Sequence, residues 1–192
     1  MGQRGALPGS PRLAAFRTRP VPTPVNTLRQ ASALIERIQT HYHEGHRRAL
    51  PELQAMAAAV EALGLGEDLV DELSRIGNAL EQHMFKEEMR LFPMMEQGGN
   101  TLIGRLIEDL HRDHVDHEAA MQDFQARLRR LGATDRPDPA LRRLIDGVDA
   151  LAHALAQHIR AEEHELFPLF SPRTGAATSA ALALQPPAPT TP

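Results

Sequence analysis

His83-Met-Phe-Lys-Glu87-Glu88-Met-Arg-Leu91-Phe92-Pro93 decides the fold, because the chain writes it a second time as His158-Ile-Arg-Ala-Glu162-Glu163-His-Glu-Leu166-Phe167-Pro168. Both copies read His-x-x-x-Glu-Glu-x-x-Leu-Phe-Pro and continue into two apolar residues. In a helix, positions i and i+4 share a face, so each copy offers an imidazole and a carboxylate to one point in space. Two such helices packed face to face enclose two nitrogens and two carboxylates. Those donors suit a carboxylate-bridged pair of metal ions, and iron best of all. Zinc is disfavoured, since its protein sites hold four ligands at one ion and this set is larger and bridged.

Working outward from the repeat, four long helical patterns appear. They run over about 26–65, 67–95, 101–131 and from 139 to about 170, and Pro51 is expected to kink or break the first. Gly64-Leu-Gly66, Gly98-Gly-Asn100 and Gly132-Ala-Thr-Asp135 mark the turns between them. Short turns between long helices make antiparallel neighbours, hence an all-α, up-down-up-down four-helix bundle. Residues 1–25 and 171–192 are rich in Pro with Gly and Arg, or Ala and Thr, and lack apolar periodicity; they read as disordered tails around a domain of 26–170.

Periodicity says where the histidines point. The stripe Leu69, Leu73, Ile76, Leu80 runs without change of phase into His83 and Glu87. Leu144, Val148, Leu151 and Leu155 lead in the same way into His158 and Glu162. The third pattern carries Ile103, Ile107, Leu110, His114, His117, Met121, Phe124, Leu128 and Leu131. In the first, His43 and His46 are three apart and can both face inward, whereas His41 falls off the stripe. The candidate ligands are therefore His43, His83, Glu87, His114, His158 and Glu162, placed near one end of the bundle. A buried polar stripe of this kind must be paired or bind metal. Glu88 and Glu163 sit one position off it, as solvated groups or as outer partners holding an imidazole N–H. His117 and Glu118 stay open between outer partner and additional ligand. His111, His153 and His164 read as surface residues, and each Leu-Phe-Pro as a core plug with a helix terminator. Glu108-Asp-Leu-His111 is the one inviting ferritin-like Glu-x-x-His match, and it lies away from the seam.

Composition closes other routes. The chain has no cysteine, which excludes disulfides, thiolate chemistry and Cys-held iron–sulfur clusters. A formal charge of −4 with no compact basic cluster argues against nucleic acid. No stretch has the ~20 apolar residues of a membrane span, and the N-terminus lacks a signal-peptide core. A cytoplasmic protein is expected.

These residues resemble a known family. Tyr42-His43-Glu-Gly-His46-Arg47 with Leu50-Pro51-Glu52-Leu53, the two repeats, and Asp113-His114 are together similar to the hemerythrin-like (HHE) domain, and most of all to the di-iron domain of the RIC proteins, which repair iron centres. The likeness spans about 28–170. It implies that His43, His83, His114 and His158 are terminal ligands and that Glu87 and Glu162 bridge two non-haem Fe ions, joined also by an oxo or hydroxo group. It implies a role in nitrosative or oxidative stress, through cluster repair or iron donation, with O2, NO or peroxide as small ligands and damaged iron–sulfur proteins as partners. Binding, storage or sensing of O2 or NO, and reduction of NO or peroxide, are the alternatives. Oxygen-carrying hemerythrins have a second helix-three histidine four residues after the first, where this chain has Glu118, and an aspartate after the last histidine, where it has Glu162. Full-length repair proteins usually carry an N-terminal module with paired cysteines, which this sequence lacks.

Overall fold

The computed structural model describes residues 24–170. The expected tails, apart from residues 24 and 25, lie outside the described residues. The first rod joins α1 (Pro24–Arg37), a π-helical turn (Ile38–His43) and α2 (Glu44–Ala62). The second joins α3 (Leu69–Lys86), a π-helical turn (Glu87–Leu91) and α4 (Phe92–Glu96). The third is α5 (Ile103–Leu131), and the fourth joins α6 (Pro139–Ala161), a π-helical turn (Glu162–Leu166) and a 3-10 turn (Phe167–Leu169). No strand occurs among the described residues. α2 packs on α3 and α6, and α5 packs on the same two helices. With connections confined to 63–68, 97–102 and 132–138, this is an antiparallel up-down-up-down four-helix bundle.

Local chemistry sets the rod ends. Gly64, Gly98 and Gly99 take φ of 69°, 95° and 80°, the left-handed region where a Cβ is strained. Asp138 caps α6, its side chain accepting from the Ala140 N–H at 2.7 Å with Pro139 in the first turn. Gly147 lets α6 approach α2 closely, since a Cβ there would meet Leu53 Cδ2 at 2.6 Å.

Pro51 does not break the first rod; α2 runs through it. A proline inside a helix costs about 3 kcal/mol, whereas burying Leu50, Leu53 and Val60 stabilises by roughly 1.5–3 kcal/mol each. Packing therefore outweighs the lost hydrogen bond. The second rod ends at Glu96, close to the expected 95 and three residues beyond Pro93. Both Leu-Phe pairs are fully buried, as expected of core plugs.

The apolar stripes form two clusters rather than one. Leu50, Leu73, Leu80, Phe124, Leu144 and Leu155 belong to the first, and Ile38, Leu91, Phe92, Leu110, Leu166 and Phe167 to the second. Every helix passes its histidines between them. The polar layer is thus sealed by apolar packing above and below, and does not sit near one end of the bundle as the stripes suggested.

Candidate metal centre

Eight polar side chains are buried among the described residues: His43, His46, His83, Glu87, His114, His117, His158 and Glu162. All six expected ligands are in this set. They converge as two overlapping groups, His43, Glu87, His158, Glu162 and His83, Glu87, His114, Glu162, each with donor atoms within 4.8 Å of one another. Both glutamates belong to both groups. In the first, His43 Nε2 lies 3.1 Å from His158 Nε2 and 3.4 Å from Glu87 Oε2. In the second, His114 Nε2 lies 3.2 Å from His83 Nε2, which is 3.5 Å from Glu87 Oε2. Glu162 divides its oxygens between them, Oε1 at 2.9 Å from His158 Nε2 and Oε2 at 3.0 Å from His114 Nε2. A carboxylate that gives one oxygen to each of two nitrogen pairs has the geometry of a bridge.

The π-helical turns make this possible. Phe92 N–H donates to Glu87 O, and Phe167 N–H to Glu162 O, so each repeat widens at its first glutamate by one residue. The extra residue holds Glu87 and Glu162 inward while turning Glu88 and Glu163 onto the neighbouring rod. Glu88 Oε1 accepts from His43 Nδ1 at 2.7 Å, and Glu163 Oε1 from His114 Nδ1 at 2.8 Å. The off-stripe glutamates are therefore partners of imidazoles, which fixes the Nε2 lone pairs toward the centre. Phe92 stacks on His43 and Phe167 on His114, with interplanar angles of 21° and 3°.

The other expectations divide. His41, His153, His164, Glu108 and Glu118 are exposed, so Glu118 is not among the buried donors. His111 is a correction: only half exposed, it bonds Glu163 rather than standing free on the surface. Arg47, Asp113 and Lys86 act in ways the sequence reading did not assign. Arg47 holds Glu88 through Nη1 at 2.9 Å and is itself held by Glu81. Lys86 bonds Asp113 at 2.7 Å, and Asp113 stands 3.5 Å from His83 Nδ1. Arg47 follows His43 by one helical turn, which is the signal that could have found it.

Electrostatics without a metal are strained. Burial pushes His46 and His83 down to about 3, and burial with the neighbouring His158 pushes His43 down to about 4. Burial and the charge of Glu162 raise the Glu87 carboxyl. In Glu162 burial acts the same way but is outweighed by His158 and His114, which hold it low. His114 is raised, since Glu162 and Glu163 outweigh its burial. Both oxygens of Glu87, and Nε2 of His46 and His117, are buried without a hydrogen-bond partner. Each such orphan costs about 1–3 kcal/mol. Divalent cations in the two groups would use the Glu87 oxygens and stabilise the ionised carboxylates, so the residues fit a pair of metal ions.

A helical bundle with paired His and Glu donors sealed between two apolar clusters has the donor set of a cation-binding domain. The family model described as Hemerythrin HHE cation binding domain matches residues 34–170, and the chain belongs to that family. It is 33% identical over 164 residues to the Iron-sulfur cluster repair protein YtfE of Dickeya chrysanthemi (strain Ech1591), covering 82% of this chain and 73% of that one. Over 167 residues it is also 33% identical to the YtfE protein of Yersinia pseudotuberculosis serotype IB (strain PB1/+), with the same coverage of 82% and 73%. The YtfE protein of Cronobacter sakazakii (strain ATCC BAA-894) is 30% identical over 154 residues, covering 76% and 70%. Among the described residues no helix is long and apolar enough to cross a membrane.

Proposed function

We propose that the chain is a di-iron protein that repairs damaged iron–sulfur clusters under nitrosative or oxidative stress. What supports this reading is that Glu162 brings one oxygen to each histidine pair, 2.9 Å from His158 Nε2 and 3.0 Å from His114 Nε2, in a chain whose relatives are named as cluster repair proteins. His43 and His158 would hold one iron, His83 and His114 the other, and Glu87 and Glu162 would join them. Irons held by these residues would supply one-electron chemistry and could take NO, O2 or peroxide as a further ligand. The protein's own part is to orient and to exclude. Glu88 and Glu163 hold the Nδ1–H of His43 and His114, aiming Nε2 inward. Phe92 and Phe167 close the layer on one side, and Leu80, Met84 and Leu155 close it on the other. Burial and the charge of Glu162 raise the Glu87 carboxyl, so a cation, which favours the ionised carboxylate, would bind in competition with a proton there.

The test is repair itself. A [4Fe–4S] enzyme inactivated by NO, incubated with the iron-loaded chain, should regain activity faster than with the same amount of free iron. No gain over free iron, together with a stable and reversible O2 complex, would replace repair by a carrier or sensor function.

A further inference from the structure

Six of the eight buried polar side chains make the two donor groups; His46 and His117 are left over. Their positions match. Each lies three residues, one helical turn, beyond a ligand: His46 beyond His43 on α2, and His117 beyond His114 on α5. Each faces the ligand contributed to its site by a repeat, the His46 ring 5.3 Å from that of His158 and the His117 ring 5.0 Å from that of His83. Both are more than nine-tenths buried, at 1% and 8% exposure. In both, Nε2 is enclosed and has no hydrogen-bond partner. An apolar residue would fill either place without stranding a nitrogen, and the stripes that contain them are otherwise apolar on that side, with Leu50 and Met121 next in line. Each ring also forms the wall of a separate cleft, His46 beside Tyr42 in one of about 430 Å³ and His117 beside Asp113 in one of about 470 Å³.

We propose that His46 and His117 are reserve ligands, one for each metal, that turn Nε2 onto the coordination position left open by their site and give way when a small ligand enters. This rests on the di-iron reading of the centre. Neither ring belongs to a four-residue donor group in the present arrangement, so engagement takes a side-chain rotation, and the clefts give the rings room to withdraw. The consequence is an iron pair that is held without an exogenous ligand and remains open to one.

The experiment compares the iron-loaded chain with His46→Leu, His117→Leu and the double variant. Iron-free variants should unfold at the same temperature as the parent or higher, because leucine removes a stranded nitrogen. Iron release to a strong chelator should be roughly tenfold faster in each single variant, and azide should bind faster in both, with no internal competitor to displace. Pulsed EPR of the parent, poised in its paramagnetic state without added ligand, should count one more coordinated imidazole per iron than two. Unchanged release and azide binding in a double variant that folds and holds two irons would overturn the reserve role alone. A parent chain that takes up no iron pair would overturn the di-iron reading and this role with it.

Discussion

The two halves of the centre are alike inside and different outside. Within, each half has two imidazoles and shares Glu87 and Glu162 with the other, as the sequence repeat requires. Behind His43, Glu88 is gripped by the permanently charged Arg47, which Glu81 holds in turn. Behind His114, Glu163 is met by His111, an imidazole that is half exposed. The repeat histidines diverge as well, although Nδ1 of both lacks a hydrogen-bond partner: His83 Nδ1 stands 3.5 Å from Asp113, whereas His158 is stacked on by Tyr42. The inner ligands fix what is bound. Under the proposed di-iron reading, the outer contacts, which differ, would set how tightly and with what charge, and the two irons would be inequivalent.

The largest effects should come from the shared carboxylates. Glu87→Ala and Glu162→Ala should abolish the paired centre, leaving at most one iron per chain by elemental analysis. Glu88→Ala and Glu163→Ala should keep both irons but weaken binding by about 10–100-fold. Equal iron loss in all four variants would show that the inner and outer glutamates have been wrongly told apart.

Acid should separate the halves in the iron-free chain. His43 is pushed down to about 4 by burial and His158, while His114, despite burial, is raised by Glu162 and Glu163. Between pH 6.5 and about 4 the unfolded chain binds a proton at His43 that the folded chain refuses, so this group removes stability as pH falls. For His114 the sign reverses: its contribution is complete below pH 6.5 and is lost as pH rises through its elevated value. Nitrogen-15 NMR of the two rings should show His114 protonated at a pH where His43 is neutral. Simultaneous titration would remove the electrostatic difference between the halves.

Much of this was legible in the sequence, for a physical reason. Core residues must recur with the helical period, so His83, Glu87, His158 and Glu162 could be placed by their phase with Leu80 and Leu155. The π-helical turns were not foreseen, because one residue of widening barely disturbs a stripe. The trace they leave is a step of five from Ile38 to His43, and consecutive steps of four through His83, Glu87 and Leu91 and through His158, Glu162 and Leu166. Asp113 and the true place of His111 are hidden because their partners lie on other rods, and no periodicity along one helix encodes a contact with the next; Arg47 leaves only its spacing from His43. Pro51 sits inside α2 without ending it, since a local breaking rule yields to burial.

The smallest difference should appear at the outermost contacts. Arg47→Ala removes a partly exposed ion pair, the kind worth about 0.2–1 kcal/mol, so iron affinity at the His43 half should fall only a few-fold. His111→Ala should have less effect still at the His114 half, read by the same chelator competition. A larger loss for His111→Ala would invert the ranking of the two supports.

Mössbauer spectroscopy of the chain reconstituted with ⁵⁷Fe, alongside elemental analysis, is the most direct test of the proposed carboxylate-bridged iron pair. We expect two irons per chain, magnetically coupled and resolved as two sites whose parameters differ. A single iron or a single tightly held zinc per chain, with no coupled pair after reconstitution, would contradict it.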